Sequence, residues 1–124
     1  MNAVERYGLI FRNIDGRTSI IIEGNQKRVF SSLSYIDEFH ISECEMIVLE
    51  IENAQNGFSF ERNFLFDWAD PDLELESPNV KFYDLIIGMD DFKDILKDWI
   101  EFNKNAALDK KKSFFHKLMR FLKF

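Results

Sequence analysis

From Phe92 onward the apolar residues recur at the spacing of one helix face. Phe92, Ile95, Leu96, Trp99 and Ile100 follow the i, i+3, i+4, i+7, i+8 pattern. A stripe that wide cannot be left to water, so the chain before it must supply an apolar surface to receive it. Asp90 or Asp91 suits the start of this helix, where unpaired amides and the helix dipole favour a carboxylate. Asn103 to Ala107 reads as a break, and Leu108 to Lys123 as a second helix. On that second helix Leu108, Phe114, Phe115, Leu118, Met119, Phe121 and Leu122 share one broad face, with Lys112, His116, Lys117, Arg120 and Lys123 opposite.

The receiving surface reads as strands. Tyr7–Ile14 and Arg17–Glu23 flank Asp15-Gly16, which supplies the positive φ values of a tight hairpin. Gly24-Asn25 marks another turn. Val29–Ile41 reads as a long β-like stretch, and Glu45–Glu52 as a strand placing Ile47, Leu49 and Ile51 together. Asn56-Gly57 is the clearest hairpin signal. After it, Phe58, Phe60, Phe64, Phe66 and Trp68 share a face by period-two spacing, with Arg62 falling among them. Val80–Ile87 reads as one more strand. The expectation is a single α+β domain over residues 1–124: a mostly antiparallel sheet of about five or six strands in a strand-rich part, 1–88, then two C-terminal helices in 89–124. At 124 residues, such a chain can bury one sizeable core.

Charge is segregated along the chain. Residues 109–124 hold six Lys/Arg against one acid, whereas residues 1–108 hold ten against 21 acids. An acidic body lacks the positive footprint that a phosphate backbone requires, so nucleic acid is excluded as its partner and a basic protein is favoured. The acids are densest between Phe66 and Ser77, where Asp67, Asp70, Asp72, Glu74 and Glu76 surround Trp68 without an intervening base. An aromatic framed by acids on a loop suits a basic protein surface, although Trp68 can equally be read as a buried strand end. Asp90, Asp91, Asp94 and Asp98 form a second candidate patch.

Signatures of catalysis are missing. The five glycines are scattered singly, so there is no phosphate-cradling loop, and no G-x-S-x-G elbow occurs. Cys44 lies four residues after His40, but Glu43 and Glu45 would raise its thiol pKa, and a structural thiol is expected. Two histidines and one cysteine cannot make a zinc site, and the run Asp67-x-x-Asp70-x-Asp72-x-Glu74 lacks the glycine and terminal glutamate of a calcium loop. The reading is therefore non-enzymatic, with no cofactor and no metal. A single cysteine, no visible leader and no long apolar run point to the cytoplasm.

The stretch from Pro78 to Phe102, PNVKFYDLIIGMDDFKDILKDWIEF, with the acid–aromatic mixture before it, resembles the immunity proteins of bacterial polymorphic-toxin and contact-dependent growth inhibition systems. That resemblance implies a small cytosolic inhibitor that neutralises a cognate toxin domain, frequently a basic nuclease. The resemblance supplies no contact residues; the clustering of acids in this sequence places the contact at Asp67, Trp68, Asp70, Asp72, Glu74 and Glu76, with Asp90, Asp91, Asp94 and Asp98 as a second patch. The basic helix at 108–124 departs from a uniformly acidic inhibitor. Its apolar face is expected to complete the core; the alternative is a peripheral membrane or scaffold protein that uses it on a lipid surface. A small enzyme with an unrecognised carboxylate site is the remaining alternative.

Overall fold

The computed structural model describes residues 2–24, 27–63 and 73–122. A short helix α1 (Ala3–Arg6) leads into a hairpin of β1 (Leu9–Ile14) and β2 (Arg17–Ile22). Next come a helical turn α2 (Lys27–Phe30), a 3₁₀ helix (Ser31–Glu38) and α3 (Ile41–Gln55). A meander of β3 (Leu73–Glu76), β4 (Asn79–Phe82) and β5 (Leu85–Gly88) then feeds a long helix α4 (Met89–Leu122). The architecture is α+β and every strand pair is antiparallel. The expected single sheet is replaced, among the described residues, by two small ones of two and three strands.

The first hairpin follows its turn chemistry. Asp15 and Gly16 both take positive φ, 54° and 86°, and Asn13 Oδ1 accepts the Gly16 N–H at 2.9 Å. That closes the register at Ile14↔Arg17 and sets Leu9 opposite Ile22 and Phe11 opposite Ile20, on the face that packs inward.

Between residues 27 and 55 the chain is helical except at the extended Phe39-His40 junction, which corrects the expected strands at Val29–Ile41 and Glu45–Glu52. Burial decides the period: Cys44, Ile47, Val48 and Ile51 are buried while Leu49 is 56% exposed. That is the i, i+3, i+4, i+7 pattern of a helix, and Ile47, Leu49 and Ile51 do not share a face. Leu33 and Ile36 are likewise buried at the three-residue period of the 3₁₀ helix. Asn56-Gly57 ends α3 instead of turning a hairpin. Gly57 has φ +77°; its N–H donates to Ala54 O, and the Phe58 N–H donates to Asn53 O at 2.8 Å. These are the two bonds of a Schellman stop. The stretch after Gly57 forms no strand through Arg62, with only a lone bridge pairing Asn63 to Glu74. The rest of the expected aromatic strand, Phe64 to Trp68, lies outside the described residues. Val80–Ile87 is two strands, because the chain reverses at Tyr83-Asp84, where Tyr83 takes φ 55°.

α4 runs unbroken through the expected break at Asn103–Ala107. No Gly or Pro interrupts it, and the Asn103 side chain is held at both ends. Its Nδ2 donates to Trp99 O at 2.8 Å and its Oδ1 accepts from the Thr18 hydroxyl at 2.5 Å. At 34 residues the helix is roughly 50 Å long. Its first half is core: Met89, Phe92, Ile95, Leu96, Trp99 and Ile100 are buried against residues of both sheets and α3. The Trp99 ring meets Phe11 edge-on at 5.0 Å and stacks on Phe102 at 5.9 Å. Its last buried residue is Ala106.

Candidate functional sites: an acidic–aromatic patch and a projecting helix

The ten acid-patch residues read from the sequence meet different fates. Asp67, Trp68, Asp70 and Asp72 lie outside the described residues. Glu74 and Glu76 stand on β3 and not on a loop, alternating with the buried Leu73 and Leu75; Glu74 is opposite Lys81 across the ladder. Asp91 is committed to holding the fold. It accepts from Arg6 Nη2 at 2.6 Å and from the Tyr7 hydroxyl at 2.8 Å, which pins α1 to α4. Burial, and then the Asp91 carboxylate, push the Tyr7 phenol up to about 12. Asp90 accepts from Gln55 Nε2 at 2.6 Å, and Gln55 Oε1 accepts from Lys93, so this carboxylate ties the end of α3 to the start of α4.

Asp94 and Asp98 are different. They lie one turn apart on the outer side of α4, with Glu101 three residues further on. No cation among the described residues forms an ion pair with any of the three; the pairs there are Arg6–Asp91 and Lys97–Glu52. Partial burial, then the charges of Asp94 and Glu101, raise the Asp98 carboxyl above its ordinary 3.8. Beside these acids lies a shallow depression of about 340 Å³, floored by Val4, Phe11 and Phe102 and edged by Asp98, Glu101 and two asparagines, Asn2 and Asn105. Phe11 and Phe102 touch with ring centroids 5.5 Å apart. Sequence reasoning missed Glu101, Phe11 and Phe102. The first is adjacent in helical spacing and could have been found, but the two rings meet only through the packing of β1 on α4. A larger depression of about 700 Å³ beside the β1–β2 turn mixes Arg17 with Asp15 and Asp37, so it carries no single sign of charge.

No family model, curated protein or solved structure matches this chain.

Nucleophilic chemistry at Cys44 is opposed by its surroundings. The thiol is fully buried, and burial, with Glu43 and Glu45, pushes it up to about 12. His40 is exposed at the N-terminus of α3, where its backbone N–H donates to Glu43 Oε1. Among the described residues no group of three or more His, Cys, Asp or Glu could hold a metal ion. No helix there is long and apolar enough to cross a membrane.

The second candidate surface is the outer half of α4. From Ala107 to Leu122 every residue is exposed, which corrects the expectation that this face completes the core. Phe114, Phe115 and Phe121 are 68%, 59% and 85% exposed. Near Ala107, Lys110 lies against the first hairpin, its side-chain carbons closing over Gly16 of the turn. At about 100° per residue, Leu108, Phe114, Phe115, Leu118, Met119, Phe121 and Leu122 span an arc of roughly 160°. The centre of that arc is turned about 100° from the centre of the core-facing stripe of the inner half. The outer stripe is therefore offset from the core-facing stripe and overlaps it only along one edge, at Phe114, Leu118 and Phe121.

Proposed function

We propose that this protein is a non-enzymatic binding protein of the immunity type, a cytoplasmic inhibitor that neutralises a cognate toxin domain by covering its active site. The observation that carries this reading is the unneutralised group Asp94, Asp98 and Glu101 beside the exposed edges of Phe11 and Phe102. Like charges held this close cost stability, and here no cation among the described residues relieves them. A basic partner would relieve them, inserting lysine or arginine between the carboxylates and over the rings. The acidic run from Asp67 to Glu76 adds to the same field and would steer a basic domain toward the body.

The test is kinetic. The gene immediately upstream is first examined for a toxin domain, and association of the purified chain with that domain is measured across a salt series. Long-range attraction sets the encounter rate, so Asp94→Lys with Asp98→Lys should slow association about tenfold at low salt and leave dissociation nearly unchanged. Asp70→Lys with Asp72→Lys should act the same way, while Trp68→Ala should speed dissociation, a loss of about 2 kcal/mol or more if the indole anchors the contact. Salt-independent association, with all variants behaving as the parent, would remove the acidic surfaces from the interface. No binding to that toxin domain overturns the reading.

A further inference from the structure

We infer that residues 108–122, the outer half of α4, form a docking helix for an anionic phospholipid bilayer surface. The inference concerns a different face from the acidic patch and stands or falls without it. Three observations carry it. The helix leaves the core after Ala106 and continues for about 24 Å with its apolar side uncovered. Its composition is that of an interfacial helix: an apolar face with three phenylalanines, Lys111 within that face on a stem long enough to carry its charge to the headgroups, and Lys112, Lys117 and Arg120 on its flanks and back, where long side chains can reach headgroup phosphates. The charge is one-sided, with five cations against one acid between 108 and 122, in a chain otherwise strongly acidic.

That charge also discriminates between occupants. Two such helices pairing with each other would bring together segments of net charge +4. The seam formed by Leu108, Phe115, Leu118 and Leu122 would moreover hold Lys111 at the position a coiled coil needs apolar, over only two heptads. A bilayer carrying negative headgroups meets both requirements at once, taking up the aromatic face and attracting the cations. Nor does the acidic body forbid the approach. Exposed charges are screened over about 8 Å at physiological ionic strength, a third of the length by which the helix projects.

The experiment is co-sedimentation of the full chain with vesicles of phosphatidylcholine and phosphatidylglycerol, and with vesicles of phosphatidylcholine alone, at low and high salt. Binding is expected on the anionic vesicles and should weaken with salt. Each cation near a charged surface contributes roughly fivefold, so Lys117→Gln with Arg120→Gln should lower the partition constant about 25-fold. Phe115→Glu with Phe121→Glu should abolish binding. Both variants should keep the near-ultraviolet dichroism and unfolding midpoint of the parent, since neither touches the core. With Phe115→Trp, indole emission should shift to the blue on anionic vesicles only. A folded parent that stays in the supernatant overturns the inference. So does equal binding to neutral vesicles, or a dimer in solution that Phe115→Glu with Phe121→Glu dissociates.

Discussion

Trp99 is 1% exposed and among the largest fully buried side chains, yet its Nε1 finds no acceptor among the described residues. The ring is retained for what it packs against, Phe11 and Phe102, at the cost of one unsatisfied donor. Trp99→Ala should therefore destabilise by about 3–5 kcal/mol in chemical denaturation. Trp99→Phe should cost less than half of that, because it fills much of the space and removes the orphan N–H. Cys44 makes the complementary case. Its thiol should resist iodoacetamide at pH 8 in the native protein and react once the chain is unfolded in urea, while Cys44→Ser should cost about 1–3 kcal/mol by burying a hydroxyl. Asp98 gives a pH dependence. Its carboxyl is raised in the folded state, so the folded protein holds this proton more tightly than the unfolded chain, and the group's contribution to stability falls as pH rises through its folded value. Asp98→Asn should thus stabilise at pH 7, by no more than about 0.5 kcal/mol at so exposed a position, and the gain should vanish below the ordinary value of 3.8. A gain that persists in acid would mean that the ionised carboxylate, partly buried and beside two others, is not its cause.

Among the elements, α4 joins two halves with different physics. The inner half is helical because its stripe is buried, which is how most helices in proteins are stabilised. The outer half has no such support; it inherits a nucleated end from the inner half and good helix formers in its own sequence. Deleting residues 108–124 should accordingly change the unfolding free energy by less than about 1 kcal/mol, measured in urea by near-ultraviolet dichroism, since every described residue it removes is exposed, with Lys110 lying over Gly16. A loss of several kcal/mol would mean that the outer half packs on the body. At the other end of the molecule, α1 is too short to stand alone. It is fixed by the Arg6 and Tyr7 bonds to Asp91, which leaves that acid of the α4 patch engaged within the fold.

For the molecule as a whole, the formal charge of −6 hides a more negative body and a positive projection. Few ion pairs offset the body's acids, Arg6–Asp91 and Lys97–Glu52 among the described residues, and both are at least partly exposed. Repulsion among the rest should weaken the fold at low ionic strength. Raising sodium chloride from about 10 mM, where screening extends about 30 Å, toward 1 M, where it shrinks to about 3 Å, should therefore raise the melting temperature by a few degrees. An acidic protein held together by ion pairs would show the reverse.

The sequence by itself determined the features that depend on neighbours within one turn or one hairpin. The Asp15-Gly16 reversal, the stripe from Phe92 to Ile100, the α+β class and the segregation of charge all follow from local spacing and composition. Where a local signal serves two structures, the sequence could not choose. Asn-Gly supplies positive φ to a hairpin and to a helix stop alike, and Ile47, Leu49 and Ile51 fit a strand until Val48 is seen to be buried. Tertiary structure alone decided which acids were already spent, because Asp91 meets Arg6 and Tyr7 across more than eighty residues. It alone brought Phe11 beside Phe102 at the foot of the acidic patch. It also decided where the core stops. Amphipathic spacing states that a helix has an apolar face, but whether the body reaches that face depends on how far along the helix the other elements extend, and here they end at Ala106.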